Sequence, residues 1–201
     1  MITTDNFLDQ EIILQNHHSK LEPLTEAHYQ HLLPIALHTE LWEFTGAKVR
    51  NEADFRRYFD TALAEKASNK SYPFAIFDKM QNRYAGCTRY ANISFPDKRL
   101  EIGWTWYHPE LQRSGINKAT KILLLSFGFE QLGLNRIELK TSLLNLKSQG
   151  AMLKIGAVKE GILRRHSINE DGLVRDTVYF SFIKEEWPQI KETIFKEFIK
   201  S

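Results

Sequence analysis

Arg99-Leu100-Glu101-Ile102-Gly103-Trp104-Thr105-Trp106-Tyr107-His108-Pro109-Glu110-Leu111-Gln112-Arg113-Ser114-Gly115-Ile116-Asn117-Lys118 is the stretch on which the reading of this chain turns. Residues 99–107 alternate in character. The alternation predicts a strand with Leu100, Ile102, Trp104 and Trp106 on one face and Glu101, Gly103, Thr105 and Tyr107 on the other. His108-Pro109 ends it, because proline has no N–H for a sheet ladder. From Gly115 the chain is apolar nearly all round (Ile116, Ala119, Ile122 to Leu125, Phe127, Phe129) until Leu132, with Gly133 as a helix-ending residue. That pattern predicts a helix buried against a sheet. Gln112 to Asn117 therefore joins a strand to a helix, where first-turn N–H groups and the positive end of the helix dipole can meet an anion. Gly115 permits close approach of a phosphate, and Arg113, Lys118 and Lys121 add positive charge within two turns. On these residues alone, a Ser114 N-cap followed by solvated lysines accounts for the segment equally well.

Outward from this stretch the elements alternate. Ile12 to Leu14, a turn at Asn16-His17-His18-Ser19, and Lys20 to Leu24 read as a short strand or hairpin. Thr25-Glu26 opens a helix carrying Tyr29, Leu32 and Leu33 inward; Glu52 to about Lys66 forms another with Phe55, Tyr58, Phe59 and Leu63 on one face. Strands follow at Pro73–Phe77, Tyr84–Tyr90, Arg99–Tyr107 and Arg136–Lys140, then a short helix over Asn145–Ile155 closed by Gly156. Val158–Leu163 and Arg175–Ile183 are two further strands around Asp171-Gly172, and a helix follows Trp187-Pro188. The order is β-α-α-β-β-β-α-β-α-β-β-α, which predicts an α/β fold: a mixed sheet of about seven strands with helices on both faces, in a single domain over residues 1–201.

Composition narrows the function. Among 201 residues, 27 Lys and Arg face 25 Asp and Glu, a net charge of +2. Such a balance disfavours a nucleic-acid binder, whose phosphate contacts need a concentrated basic excess. The single cysteine, Cys87, excludes an internal disulfide and Cys-rich metal sites, and reads as a small buried hydrophobe. His17-His18 lacks partners at metal spacing, so no metal is expected. Met1 to Asp5 shows neither the basic nor the apolar part of a leader, and Ile122–Leu125 is the longest aliphatic run. The expectation is a soluble cytoplasmic chain with no membrane partner. Aromatic residues in the tail, expected to be exposed, leave room for a homodimer.

In its context, the Gln112–Asn117 loop resembles the acyl-CoA pyrophosphate loop of the Gcn5-related N-acetyltransferase (GNAT) superfamily, Gln/Arg-x-x-Gly-x-Gly/Ala. Gln112 and Gly115 match; Asn117 stands where a second small residue is expected. The chain is similar in particular to the ribosomal-protein N-terminal acetyltransferase-like subgroup. The likeness runs through Glu101-Ile102-Gly103-Trp104, Asn145-x-x-Ser148, Lys154-Ile155-Gly156-Ala157 and Glu160-Gly161-Ile162-Leu163-Arg164, and spans roughly residues 10 to 185. The resemblance implies an acetyl-CoA-dependent transfer to a primary amine, foremost a protein or peptide α-amino group. A small-molecule amine, or a CoA-binding sensor without turnover, is the alternative.

It also implies a site. Gln112, Arg113, Ser114, Gly115, Ile116, Asn117 and Lys118 would hold the pyrophosphate; Trp104, Trp106 and Tyr107 would line the pantetheine; Asn145 and Ser148 would meet its amides and sulfur. Acetyl transfer needs a neutral amine, and Glu101 is the candidate base, where burial would favour a raised pKa; the competing reading is a strand carboxylate paired with Arg89 or Arg99. Many family members use a tyrosine acid four residues before the helix-closing glycine. Met152 holds that position here, so Ser148 inherits the role. His108 reads mainly as a turn residue, Arg164-Arg165-His166 as a solvated hairpin tip, and Trp42-Glu43-Phe44 as a substrate lip.

Overall fold

The computed structural model describes residues 6–199, so Met1 to Asp5, read above for a leader, lie outside the described residues. β1 (Leu14–Gln15) and β2 (Ser19–Pro23) form the first hairpin. Asn16 closes its turn, with Oδ1 accepting the N–H groups of His18 at 2.9 Å and Ser19 at 2.8 Å. Thr25 and His28 form a reciprocal cap that leads into α1 (Tyr29–Ala36). Asn51 caps α2 (Glu52–Ala67) by accepting the Asp54 N–H at 2.9 Å, an arrangement worth about 1 kcal/mol. On α2, Phe55, Phe59 and Ala62 are buried, while Tyr58 and Leu63 are half-buried.

β3 (Tyr72–Asp78), β4 (Arg83–Ser94) and β5 (Arg99–Tyr107) follow, then α3 (Ile116–Ser126), β6 (Arg136–Ser142), α4 (Leu146–Lys154), β7 (Val158–Ile168), β8 (Val174–Ile183) and α5 (Trp187–Ile194). α3 ends earlier than its apolar pattern suggested, because the chain widens into a π-type turn over Phe127–Gln131 before Gly133 turns it at φ 64°. All strands join one sheet in the order β1-β2-β3-β4-β5-β6-β8-β7. There are eight strands rather than about seven, since the opening hairpin contributes two. Every neighbouring pair is antiparallel except β5 and β6. One face packs Leu24, Leu32, Phe55, Phe59, Cys87 and Trp106 under α1 and α2; the other packs Tyr90, Leu100, Ile102, Leu124, Phe180 and Phe182 under α3 and α5. The tail aromatics join this second core rather than standing exposed: Trp187 and Phe195 are buried, and the half-buried Phe198 stacks on His17.

The expected alternation of β5 breaks at Trp104. Cys87 pairs with Trp106 while Arg89 pairs with Gly103, so β5 carries one residue more than β4 there, and Trp104 takes φ 49°. After this bulge the phase reverses. Glu101, Gly103 and Trp106 share the α1/α2 face, whereas Leu100, Ile102, Thr105 and Tyr107 share the α3 face. Trp104 belongs to neither core and is 40% exposed. Across the bulge, Gly86 lets the strands close: a Cβ there would stand 1.9 Å from the Trp106 carbonyl oxygen.

Candidate functional site

The parallel pairing of β5 with β6 stops at Glu101↔Glu138, after Arg99↔Arg136 and Leu100↔Ile137. Beyond that point β5 runs on to Tyr107 and β6 to Ser142 without pairing, so the sheet opens into a splay with Glu101 at its closed end. Each diverging strand feeds a helix at the mouth. β5 passes through Pro109–Leu111 and the Gln112–Gly115 loop into α3; β6 passes through Asn145 into α4. A hydrogen bond from Lys147 Nζ to Gln112 Oε1 ties the two helix starts together across the mouth.

The loop has an anion-binding shape. Arg113 and Gly115 both take left-handed φ, 69° and 95°, which bends the backbone sharply before α3, whose first N–H, that of Ile116, lies 3.4 Å from Ser114 Oγ. Arg113, Ser114 and Gly115 are exposed; Gln112, Asn117 and Lys118 are half-buried; Ile116 anchors the loop in the core. Ser114 Oγ donates to the Leu111 carbonyl at 2.7 Å, so it braces the loop and leaves the N-cap position to Gly115. Asn117 replaces the expected small residue and accepts a hydrogen bond from the Tyr107 hydroxyl at 3.2 Å. The charges are distributed differently from the sequence reading. Lys118 is paired with Glu197 at 2.6 Å, and Lys121 is buried under β5, away from the loop surface.

On α4, Asn145 Oδ1 accepts the Ser148 N–H at 3.0 Å, which is an N-cap. Ser148 is half-buried on the first turn, and Met152 packs against the core one turn later. Trp106 lies on the face away from α3, where its indole donates to the Tyr58 hydroxyl at 3.2 Å and packs on Trp42; the bulge moves it off the α3 side, where Thr105 and Tyr107 stand.

Glu101 is 3% exposed. Its carboxylate is not paired with Arg89 or Arg99: Lys140 Nζ lies 2.8 Å away and Asn92 Nδ2 donates at 2.6 Å, both to Oε2. Lys140 comes from β6, directly across the splay, and gave no sequence signal because nothing local links it to Glu101. Arg89 instead reaches Glu65 at 2.7 Å and stacks between the Tyr58 and Trp104 rings, while Arg99 stands near Asp97 and Glu138. On the same face, beyond Lys140, Tyr179 and His166 extend a polar floor; His166 Nδ1 is 3.1 Å from Thr177 Oγ1. His166 thus sits within β7, as do Arg164 and Arg165, and the hairpin tip is at Asp171-Gly172.

The expected lip divides. Trp42 is a core residue whose indole donates to the Ala36 carbonyl at 2.7 Å, whereas Glu43 is exposed and Phe44 half-buried. Trp42 and Glu43, with Thr39, Lys48, Arg50 and Asp171, border a cavity of about 190 Å³. Its two sides are held together by the Arg50–Asp171 ion pair and by Arg175 donating to the Phe44 carbonyl at 2.7 Å. His108 caps its own turn, with Nδ1 accepting the Glu110 N–H at 3.2 Å. Burial pushes the Cys87 thiol up to about 11, which suits a packing residue. Among the described residues, no three His, Cys, Asp or Glu side chains gather as a metal ion needs, and no helix is long and apolar enough to cross a membrane.

A family model described as an acetyltransferase (GNAT) domain matches residues 19–158, more than half the chain. The chain is 33% identical over 96 residues to "Putative ribosomal N-acetyltransferase YdaF" of Bacillus subtilis, covering 48% of this chain and 51% of that protein. It spans about half the length of the curated relatives it matches. Among solved structures, a GCN5-related N-acetyltransferase from Brucella melitensis superposes with TM-score 0.85 at 26% identity, covering 93% of this chain and 85% of that one. A ribosomal-protein-S5-alanine acetyltransferase from Vibrio fischeri shares the fold, with TM-score 0.67 at 19% identity over 88% of this chain and 99% of that one. With its left-handed loop at the start of α3, its single parallel strand pair and its splay, the chain belongs to the GNAT acetyltransferase family.

Proposed function

We propose that the chain, as a single acetyltransferase unit, transfers the acetyl group of acetyl-CoA to a primary amine, and that this amine is the N-terminal α-amino group of a protein or peptide. The observation that carries the reading is the splay itself. Its free β5 edge ends at an anion-binding loop, and its closed end holds a buried carboxylate on the opposite side of the sheet from α3. The loop from Gln112 to Lys118 would take the pyrophosphate; Trp104 and Tyr107 on β5, with Asn145 and Ser148 on α4, would flank the pantetheine. The amine arrives from the α1/α2 face, where Glu101, directly or through water, removes its proton. The neutral nitrogen attacks the thioester carbonyl, the C–S bond breaks, the nitrogen releases its extra proton to give the amide, and the departing thiolate takes a proton, for which Ser148 is the candidate donor. The open floor along Lys140, Tyr179 and His166 leaves room for an extended acceptor, and the ribosomal names of the relatives favour a protein one.

The Glu101–Lys140 ion pair favours a second reading, a CoA sensor whose carboxylate is already engaged. Thiol release from acetyl-CoA separates the readings. The acceptors to offer are peptides with free and with blocked N-termini, polyamines and free amino acids. Release with free-N-terminus peptides alone supports the proposal. Release with small amines alone moves the acceptor class, and tight CoA binding without release on any acceptor selects the sensor.

A further inference from the structure

On the α3 side of β5 a lysine is buried where, among the described residues, nothing of opposite charge meets it. Lys121 is 4% exposed, and its Nζ donates to Thr105 Oγ1 at 3.1 Å; that oxygen lies 2.7 Å from Thr88 Oγ1. The three side chains join α3, β5 and β4. Around them, Asn117 is bonded to Tyr107, Lys118 turns outward to Glu197, and the Tyr90 hydroxyl is engaged by the Leu124 carbonyl. From the first hairpin, the Asn16 amide is bonded to the Ala119 carbonyl, and the His18 ring lies against Gly115. Among the described residues no carboxylate pairs with Lys121, and burial alone brings its amine down to about 7. A methionine would fill the same space without the cost of desolvating an ammonium.

The position supplies a reason for the amine. Thr105 stands just past the Trp104 bulge, on the part of β5 that has no β6 partner. Two polar rungs, Asn117–Tyr107 and Lys121–Thr105, match one turn of α3 to two residues of β5. The helix that carries the loop thereby sets the height of the free strand edge. We propose that Lys121 is a positioning residue of the donor site, holding the unpaired edge of β5 through Thr105 in the setting that receives the thioester end of acyl-CoA. This inference rests on the acyl-CoA reading above. The donor's phosphates, at Gly115 within two turns of Lys121 on that reading, favour the ammonium form, so CoA binding near pH 7 draws a proton onto the lysine.

Calorimetry of CoA binding at pH 7 in buffers of different ionisation enthalpy counts that proton. The wild type is expected to take up a measurable fraction of a proton per CoA, Thr105→Val to keep it, and Lys121→Met to lose it. With acetyl-CoA and the best amine of the panel, Lys121→Met and Thr105→Val are both expected to lower kcat about 10- to 100-fold, with KM for acetyl-CoA changed little and melting temperature unchanged or higher. Equal proton uptake in wild type and Lys121→Met overturns the inference, as does an unchanged kcat or a loss that tracks a lowered melting temperature. A kcat loss in Lys121→Met that Thr105→Val does not share also overturns it, because the amine would then act without Thr105. A wild type that takes up no CoA removes the acyl-CoA reading itself.

Discussion

The Glu101 carboxylate fills the space that a side chain at Gly103 would need: a Cβ at Gly103 would stand 2.7 Å from Glu101 Oε1. Both residues share the α1/α2 face, and Asn92 and Lys140 hold the carboxylate there through Oε2. Gly103 thus makes room for Glu101. Gly103→Ala is expected to fold, since the opposing atom ends a flexible side chain, and to cut turnover by displacing that carboxylate, roughly 10-fold or more. Measuring kcat beside a thermal melt checks this; an alanine variant with full activity would separate Glu101's position from its role.

Glu101→Gln keeps the shape and cannot accept a proton at working pH. Turnover is expected to fall about 10²–10⁴-fold, the usual worth of a positioned base, with CoA affinity near wild type. Part of the loss should return at high pH, where more of the amine arrives neutral. A folded Gln variant with full activity at pH 7 would end the assignment.

Lys140→Met leaves the Glu101 carboxylate buried beside Asn92 alone. Lys140 is 28% exposed by side chain, so the cost should fall below that of a fully buried pair, at about 1–3 kcal/mol. Denaturant midpoints should show it. The double variant Lys140→Met with Glu101→Gln should recover much of the loss, because no lone charge then remains.

Lys121 makes stability depend on pH with a definite sign. Its amine titrates near 7 in the folded chain, against 10.5 for a free lysine side chain, so between these values the unfolded chain holds more of the proton. Burial of Lys121 therefore opposes folding in full below about pH 7, and the opposition lifts as pH rises toward 10.5. Lys121→Met should raise the melting temperature, by more at pH 6 than at pH 9. Melts of both proteins across that range test it, and a variant less stable than wild type at pH 6 would contradict it.

Gly115→Ala places a side chain at φ 95°, with its Cβ 3.2 Å from the His18 ring. Strain at that point should shift the loop and weaken CoA binding about 10-fold or more, with a smaller effect on the melt. Calorimetric titration with CoA reads this directly.

Sequence alone determined the element order, the loop between a strand and a buried helix, and the family likeness, because these are local matters. Alternation marks a strand, apolar saturation marks a buried helix, and a glycine where the backbone must turn left-handed marks the loop at Gly115. Tertiary structure decided what local pattern cannot carry. The extra residue at Trp104 exists only relative to the register of β4, and it reverses the faces of Thr105, Trp106 and Tyr107. Lys140 meets Glu101 only because β6 lies parallel to β5 at the closed end of the splay, 39 positions away in the chain. Lys121 reads in sequence as one more cation near a phosphate loop. Whether it faces water or Thr105 depends on how α3 is rotated against the sheet, and the apolar residues surrounding it on that helix settle the rotation by burying its face.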